Sequence, residues 1–160
     1  MTTVEAPAEA RVEVERPLAS YTALMGAFSA VFGGGILLAN ATGRLPRRPS
    51  FADIAHVGVA AHKVSRLIAK DRVASPLRAP FTATVVDDEG ELDDKAVGTG
   101  MQRAVGQLLT CPKCVGQWAA ASFVLGTIWA PRPTRAVAGV FAADAISDFL
   151  HAAFRAADRV

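Results

Sequence analysis

Two cysteines give the clearest chemical signal in this sequence. Cys111 and Cys114 are the only cysteines of the chain and lie in the run Leu-Leu-Thr-Cys-Pro-Lys-Cys. Cys-x-x-Cys spacing places two sulfurs on one side of a turn, where they can form a disulfide or bind one metal ion. A helix is predicted to begin at Cys114, and its amino-terminal dipole, together with Lys113, would favour a thiolate. The pair therefore has three interpretations: redox chemistry, a metal site, or a tight turn.

Both chemical interpretations of the cysteines lack part of their usual context. Thioredoxin-type chemistry belongs with a βαβ pattern, which is missing here. A structural zinc site takes four ligands, so zinc would need the cysteine pair of a second subunit or some of His56, His62 and His151. Zinc is the one cofactor considered. We prefer the structural turn, and we expect both thiols to be reduced, because stable disulfides are rare in the cytoplasm.

A second group of residues places charge inside an apolar segment. Asp144, Asp148 and His151 lie on one face of a predicted helix, and Lys63 and Arg66 lie on another. Ionisable side chains within a membrane are costly and normally face a partner. The functional interpretation is a proton or cation path, or a metal site. We prefer a buried salt-bridge network that holds the two helices together.

The elements that carry these residues are predicted to be membrane helices. No charged residue occurs between Leu18 and Gly43, or between Cys114 and Pro131. About 20 apolar residues are enough for a helix to cross a hydrocarbon core. The sequence therefore predicts an all-α integral membrane protein, a small bundle of about four transmembrane helices. Their expected bounds are 18–41, 51–70, 114–130 and 134–157, in a single domain of residues 18–160 that follows a mobile tail of residues 1–17.

The faces of the predicted helices indicate how they pack. Gly26, Ala30 and Gly34 form a stripe of small residues, which in lipid lets another helix approach closely. Helix 51–70 has a seam of apolar residues three and four positions apart, namely Ile54, Val57, Ala61, Val64 and Ile68. Its other side is basic, so spanning is only slightly favoured over lying along the surface.

The segment between the second and third helices, residues 71–113, is expected to be a cytoplasmic loop. Its first part is basic and interrupted by prolines, and residues 101–109 indicate a short interfacial helix. Between them lies an acidic stretch that does not follow the order of a calcium loop. A solvated, flexible insertion is the preferred interpretation of Asp87, Asp88, Glu89, Glu91, Asp93 and Asp94.

Charge also bears on partners and location. A formal net charge of +2 is too small to indicate nucleic-acid binding. The lipid bilayer is the expected partner, with a homodimer or another membrane protein as further alternatives. The distribution of Lys and Arg favours an inner-membrane protein with its cysteine loop and carboxyl terminus in the cytoplasm.

Two strings in the chain resemble a known family. AHKVSRLIAKDRVASPLRAPF and GQLLTCPKCVGQW are similar to the signature of a bacterial integral-membrane family known as domain of unknown function 1360. The resemblance extends from about Tyr21 to Phe154, and it implies membrane location but no activity. Some members from spore-formers carry a sporulation label. The residues that match the family pattern are Arg66, Asp71, Ser75, Pro76, Arg78, Pro80, Phe81, Cys111, Pro112, Cys114, Gly116, Trp118 and Asp148.

The leading functional hypothesis is a non-catalytic membrane subunit or scaffold whose loop engages a partner. One alternative is a membrane-anchored dithiol redox protein or metal-binding sensor that uses Cys111 and Cys114. Another is a small transporter whose ion path uses Asp144 and Asp148. The sequence does not favour an enzyme.

Overall fold

Helices make up most of the chain. The computed structural model describes residues 17–46, 50–86 and 90–159. In these ranges, the first helix contains a π-helical segment, Ser29–Gly33, and two strands pair antiparallel, with Thr82 opposite Ala96 and Val86 opposite Leu92. Except for Pro17, the predicted tail lies outside the described residues. The elements in chain order are α1 (Leu18–Ala41), α2 (Phe51–Lys70), α3 (Ser75–Arg78), β1 (Thr82–Val86), β2 (Leu92–Ala96), α4 (Gly100–Thr110), α5 (Pro112–Trp129) and α6 (Pro131–Ala157).

The predicted all-α bundle of four transmembrane helices is wrong in two respects. The segment expected to be a flexible acidic insertion contributes β2 to a hairpin. Within the described ranges, only α1 and α6 are long and apolar enough to cross a membrane. Helix α2 is not apolar enough to cross a membrane, because Asp53, Lys63 and Arg66 interrupt it. Helix α5 is not apolar enough either, because it begins with a proline and a lysine.

Prolines determine where the last two helices begin. Helix α5 starts at Pro112 and α6 at Pro131, two and three residues before their predicted starts. Proline is well suited to the first turn of a helix, where the amide hydrogen that it lacks would have no partner within the helix. The connection between α5 and α6 therefore shortens to Ala130.

Contacts at successive levels show that α1 and α5 run parallel. The Phe28 ring, near the middle of α1, and the Trp118 ring, in the second turn of α5, have centroids 5.2 Å apart in an edge-to-face arrangement. Further along, Gly35 faces the Leu125 side chain. At the far end, the Arg44 guanidinium lies 5.0 Å from the Trp129 ring. The first turns of both helices therefore lie at the same end of the molecule.

Helices α2 and α6 also run parallel to each other, and α2 packs extensively against both α5 and α6. Arg135 forms a salt bridge with Asp53 early in both helices. Later in both, Lys63 contacts Asp148. The carboxyl ends of α2 and α6 thus lie at one end of the molecule and their amino ends at the other.

The interior consists of small side chains. Helix α2 buries Val57, Ala60, Ala61, Ser65 and Ala69, and α6 buries only alanines. Of the predicted apolar seam, Val57 and Ala61 are buried, but Ile54 is 56% exposed, and Ser65 and Ala69 are buried in place of Val64 and Ile68. Small side chains allow close approach of the helix backbones, so the larger apolar groups lie outside.

The predicted glycine stripe on α1 is not a contact between helices in the described part of the chain. A Cβ added at Gly26 or Gly34 would have open space around it. The close approach occurs one position later, where a Cβ on Gly35 would lie 2.9 Å from Leu125 Cδ1. The face of α1 that meets α5 is thus set by Gly35 and the aromatic residues, and not by the stripe.

Candidate functional site

The two cysteines lie where α4 gives way to α5. Cys111 has an extended backbone between the helices, and its sulfur accepts a hydrogen bond from the Cys114 backbone nitrogen at 3.2 Å. The two Cα atoms are 5.3 Å apart and the sulfurs form a disulfide. The expectation of a reduced pair is therefore wrong for the state that the structure shows.

A disulfide also changes what the pair can do chemically. Metal binding requires thiolates, and here each sulfur is bonded to the other. Among the residues that the structure describes, no group of three or more His, Cys, Asp or Glu side chains is arranged to hold a metal ion. The zinc hypothesis thus applies only to the reduced pair.

The disulfide borders a largely apolar groove between α1, α4 and α5. The groove has a volume of about 660 Å³, and Cys114, Met25, Leu108 and Trp118 are among its lining residues. At its polar edge, the Tyr21 hydroxyl donates a hydrogen bond to Gln107 Oε1. Trp118, one of the residues that match the family pattern, therefore forms part of the groove wall beside the disulfide.

The charged network between α2 and α6 is centred on Lys63. Its Nζ lies 3.1 Å from Asp144 Oδ2 and 2.6 Å from Asp148 Oδ2. The Lys63 side chain is only 12% exposed, whereas both carboxylates are about half exposed. Asp144 and Asp148 are one helical turn apart, so one ammonium group reaches both. Lys63 thereby links α2 to α6 through both carboxylates.

A cleft of about 510 Å³ lies beside this network. Arg66 and His151, both predicted members of the network, line the cleft and interact electrostatically with Asp148. His62 and Arg155 line it as well. Of the Lys and Arg side chains that line the cleft, Lys63 is the one with salt bridges to described residues.

Arg78 is the buried centre of the family motif. It is 3% exposed, and it lies at the end of the short helix α3. Its Nε donates to Asp94 Oδ2 at 2.8 Å, and its Nη1 donates to the carbonyl oxygens of Ile68 and Asp71 at 2.6 and 3.0 Å. A cation at these carbonyls also complements the negative end of the α2 dipole. Arg78 thereby joins α2, the motif segment and the hairpin.

The other motif residues position this centre through backbone and hydroxyl groups. Ser75 Oγ accepts a long hydrogen bond of 3.5 Å from Arg78 Nη2, and Pro76 occupies the first turn of α3. The Pro80 carbonyl accepts from Gln102 Nε2 at 2.9 Å, and the Phe81 carbonyl accepts from the Val97 nitrogen at 3.0 Å. The motif segment is therefore hydrogen-bonded to α2, to the hairpin and to α4.

Two carboxylates of the hairpin have lowered pKa values. The pKa of Asp94 is lowered first by the Thr84 hydroxyl, at 2.8 Å, and then by Arg78. The pKa of Asp93 is lowered mainly by its hydrogen bond from Lys70. Sequence reasoning missed both as partners of basic residues, although Lys70 and Arg78 a short distance earlier in the chain could have indicated pairing.

Comparisons with known proteins match the part of the chain that contains the sites described above. The model of a family described as "Protein of unknown function (DUF1360)" matches residues 56–154, which include Arg78, both cysteines and the Lys63 network. UPF0713 protein YngL of Bacillus subtilis (strain 168) is 31% identical over 87 residues, covering 53% of this chain and 65% of the relative. Sporulation protein YjcA of the same organism is 32% identical over 73 residues, covering 43% and 62%. The chain thus spans less than two thirds of the length of each relative, and no solved structure matches it.

Proposed function

The chain belongs to the DUF1360 family of proteins of unknown function, whose description names no activity. We propose that it is a helical membrane protein with a non-catalytic role as a subunit or scaffold. The relatives are uncharacterised or named only for sporulation. The proposal therefore rests on the surfaces of the chain itself. Lipid is its main proposed partner, with a second copy or another membrane protein as further partners, and no nucleic acid.

One observation carries this proposal: large apolar side chains are on the outside and small ones are inside. On α6, Phe149 and Phe154 are 70% and 69% exposed, while the buried residues of that helix are alanines. On α1, Leu37 is 70% exposed and only Ala39 is buried. Soluble monomers rarely expose continuous apolar surfaces of this kind, whereas helices in lipid pack through small residues. By length and composition, α1 and α6 are the two helices in the described ranges that could span a membrane.

Membrane fractionation tests the proposal. The full chain should sediment with membranes, should stay there after washes with high salt and alkaline carbonate, and should be released by detergent. Release by carbonate alone would show peripheral association and would overturn the proposal.

For orientation, we propose that the cysteine end and the carboxyl terminus face the cytoplasm. The excess of Lys and Arg at that end supports this placement. A disulfide argues for the opposite side, since cytoplasmic thiols are usually kept reduced. The charge distribution is compatible with an oxidised pair, because cytoplasmic disulfides do occur as transient states of redox proteins. A membrane-impermeant thiol reagent, applied to reduced intact cells and to permeabilised cells, should label Cys111 and Cys114 only after permeabilisation.

The disulfide supports a second candidate function, a membrane-anchored thiol–disulfide protein. Cys114 lies in the first turn of α5, where the helix dipole would stabilise its thiolate after reduction. It also borders the groove described above, which leaves room for a reacting thiol. In this function, a substrate dithiol would transfer two electrons to the disulfide, become oxidised to a disulfide itself and leave Cys111 and Cys114 as thiols.

Acid quenching of growing cells, followed by thiol alkylation, tests this function. The oxidised fraction should fall in cells given a membrane-permeant reductant and recover after washing. A fraction that stays fully oxidised under every condition would indicate a purely structural disulfide.

A further inference from the structure

We propose that the cleft between α2 and α6 binds a phosphate group, specifically the headgroup phosphate of an anionic phospholipid. This inference rests on the proposed membrane location and adds a ligand to it. The cleft is the one lined by His62, Arg66, His151 and Arg155 beside the Lys63 network.

The first step of the argument is the charge in the cleft. The Lys63 ammonium group already forms salt bridges with Asp144 and Asp148. Arg66 and Arg155 are exposed side chains that line the cleft, and within the described ranges neither forms a salt bridge or a hydrogen bond. Three cations thus face two carboxylates, and the two arginines carry the unused hydrogen-bonding capacity. Even with neutral histidines, the cleft has an excess of positive charge.

The second step is the geometry of the donors. Arg66 belongs to α2 and Arg155 to α6, so the guanidinium groups approach from two sides of the cleft. A guanidinium fork binds phosphate oxygens with two parallel hydrogen bonds. His62 and His151 add ring nitrogens that can donate. A volume of about 510 Å³ is in the range of small-molecule sites and accommodates a headgroup.

The third step concerns the source of the phosphate. The lining residues of α6, from Ala145 to Arg155, occupy the carboxyl end of a candidate membrane span. Lipid headgroups lie at this level, and basic pockets between helices bind anionic headgroups there. Phe149 and Ala152 supply an apolar wall to the same cleft. Acyl chains attached to the phosphate would lie against that wall, whereas free phosphate would gain nothing from it.

The experiment measures lipid binding to the purified full chain in a neutral detergent. Thermal melting is followed with added phosphatidylglycerol, phosphatidylcholine or inorganic phosphate at matched phosphate concentration. We expect phosphatidylglycerol to raise the melting temperature and the other two to leave it nearly unchanged. Arg66→Gln and Arg155→Gln should each weaken phosphatidylglycerol binding roughly tenfold, as expected for a lost hydrogen bond between charged groups.

Arg132→Gln is the matched control, because Arg132 lies at the opposite end of α6. It should bind phosphatidylglycerol like the parent. Arg66→Lys keeps the charge but loses the fork, so it should show an intermediate affinity, and it remains informative if the glutamine variant does not fold. Equal weakening by Arg132→Gln would indicate general charge attraction and would overturn the site.

Two further outcomes would also overturn the proposal. Equal effects of inorganic phosphate and phosphatidylglycerol would identify free phosphate as the ligand. No preference for phosphatidylglycerol over phosphatidylcholine, in a chain that resists carbonate extraction, would remove the site but leave the membrane function intact. Failure of the membrane function itself would appear in the extraction, independently of lipid preference.

Discussion

Arg78 and Asp94 form a buried salt bridge, with Arg78 Nε 2.8 Å from Asp94 Oδ2, and it ties the family motif to the β-hairpin. Breaking a buried pair by removing one partner leaves the other charge without compensation. Arg78→Gln should therefore lower the free energy of unfolding by about 3–5 kcal/mol. Chemical denaturation of the purified chain in detergent measures this change.

Arg72→Gln is the control for that prediction. Arg72 is exposed and lies six residues earlier in the same segment, so its substitution should change stability by no more than about 0.5 kcal/mol. Similar losses for both variants would mean that the buried contacts of Arg78 contribute nothing beyond its charge.

The hairpin carboxylates predict how stability depends on acid. The pKa of Asp94 is lower than its ordinary value of 3.8, chiefly because of the Thr84 hydroxyl, and the pKa of Asp93 is lowered chiefly by Lys70. A carboxylate with a depressed pKa in the folded state stabilises above its unfolded pKa and loses that contribution as pH falls through its folded pKa. We expect melting temperatures to fall below about pH 4, and to fall less steeply in Asp94→Asn. An identical acid slope in the variant would contradict this assignment.

Two glycines should respond to alanine with opposite signs. A Cβ at Gly106 in α4 would meet the Phe81 carbonyl oxygen and would lie 2.9 Å from Ala96 Cβ. Because that carbonyl belongs to the backbone, Gly106→Ala should destabilise by roughly 1–3 kcal/mol, as overpacking does. At Gly58 in α2 there is no atom within 4 Å of an added Cβ. Gly58→Ala should therefore stabilise by roughly 0.5–1 kcal/mol through helix propensity.

Denaturation curves of the two glycine variants decide this prediction. A neutral Gly106→Ala would show that α4 does not pack closely on the hairpin and the motif segment. A destabilising Gly58→Ala would show that the outer face of α2 is covered by another molecule.

Alkylation followed by mass measurement tests the disulfide. The purified chain should take up no thiol label before reduction and two labels afterwards, since both cysteines are bonded to each other. Cys111→Ser should take up one label without reductant. Two labels on the unreduced parent chain would restore the expectation of a reduced pair.

The sequence predicted helices well wherever the local signals agreed. Helix α2 has its predicted bounds, Phe51 and Lys70, because Ser50 precedes an uninterrupted helical segment and Asp71 adopts an extended conformation. The spacing of Asp144 and Asp148 puts both acids on one helix face, and the structure brings both side chains to Lys63.

The hairpin could not be predicted in the same way. Asp93 and Asp94 occupy β2 although aspartate has a low strand propensity. Their salt-bridge partners, Lys70 and Arg78, are distant in sequence and become neighbours only in the folded chain. The oxidised state of the cysteines was missed for a different reason, since it depends on the redox environment and not on spacing alone.

The alanine-lined interior implies an unusual pattern of tolerance to mutation. In most domains, trimming a large core residue is the damaging change, because it leaves a cavity. Here the buried positions include Ala60 and Ala138, which are 0% and 1% exposed, and an alanine side chain leaves little to remove. Damage should instead come from added volume, even a single extra methyl group, while bulky outward residues such as Phe149 should accept any apolar replacement. A saturation mutagenesis map of this chain would then rank positions by the largest side chain that each one admits.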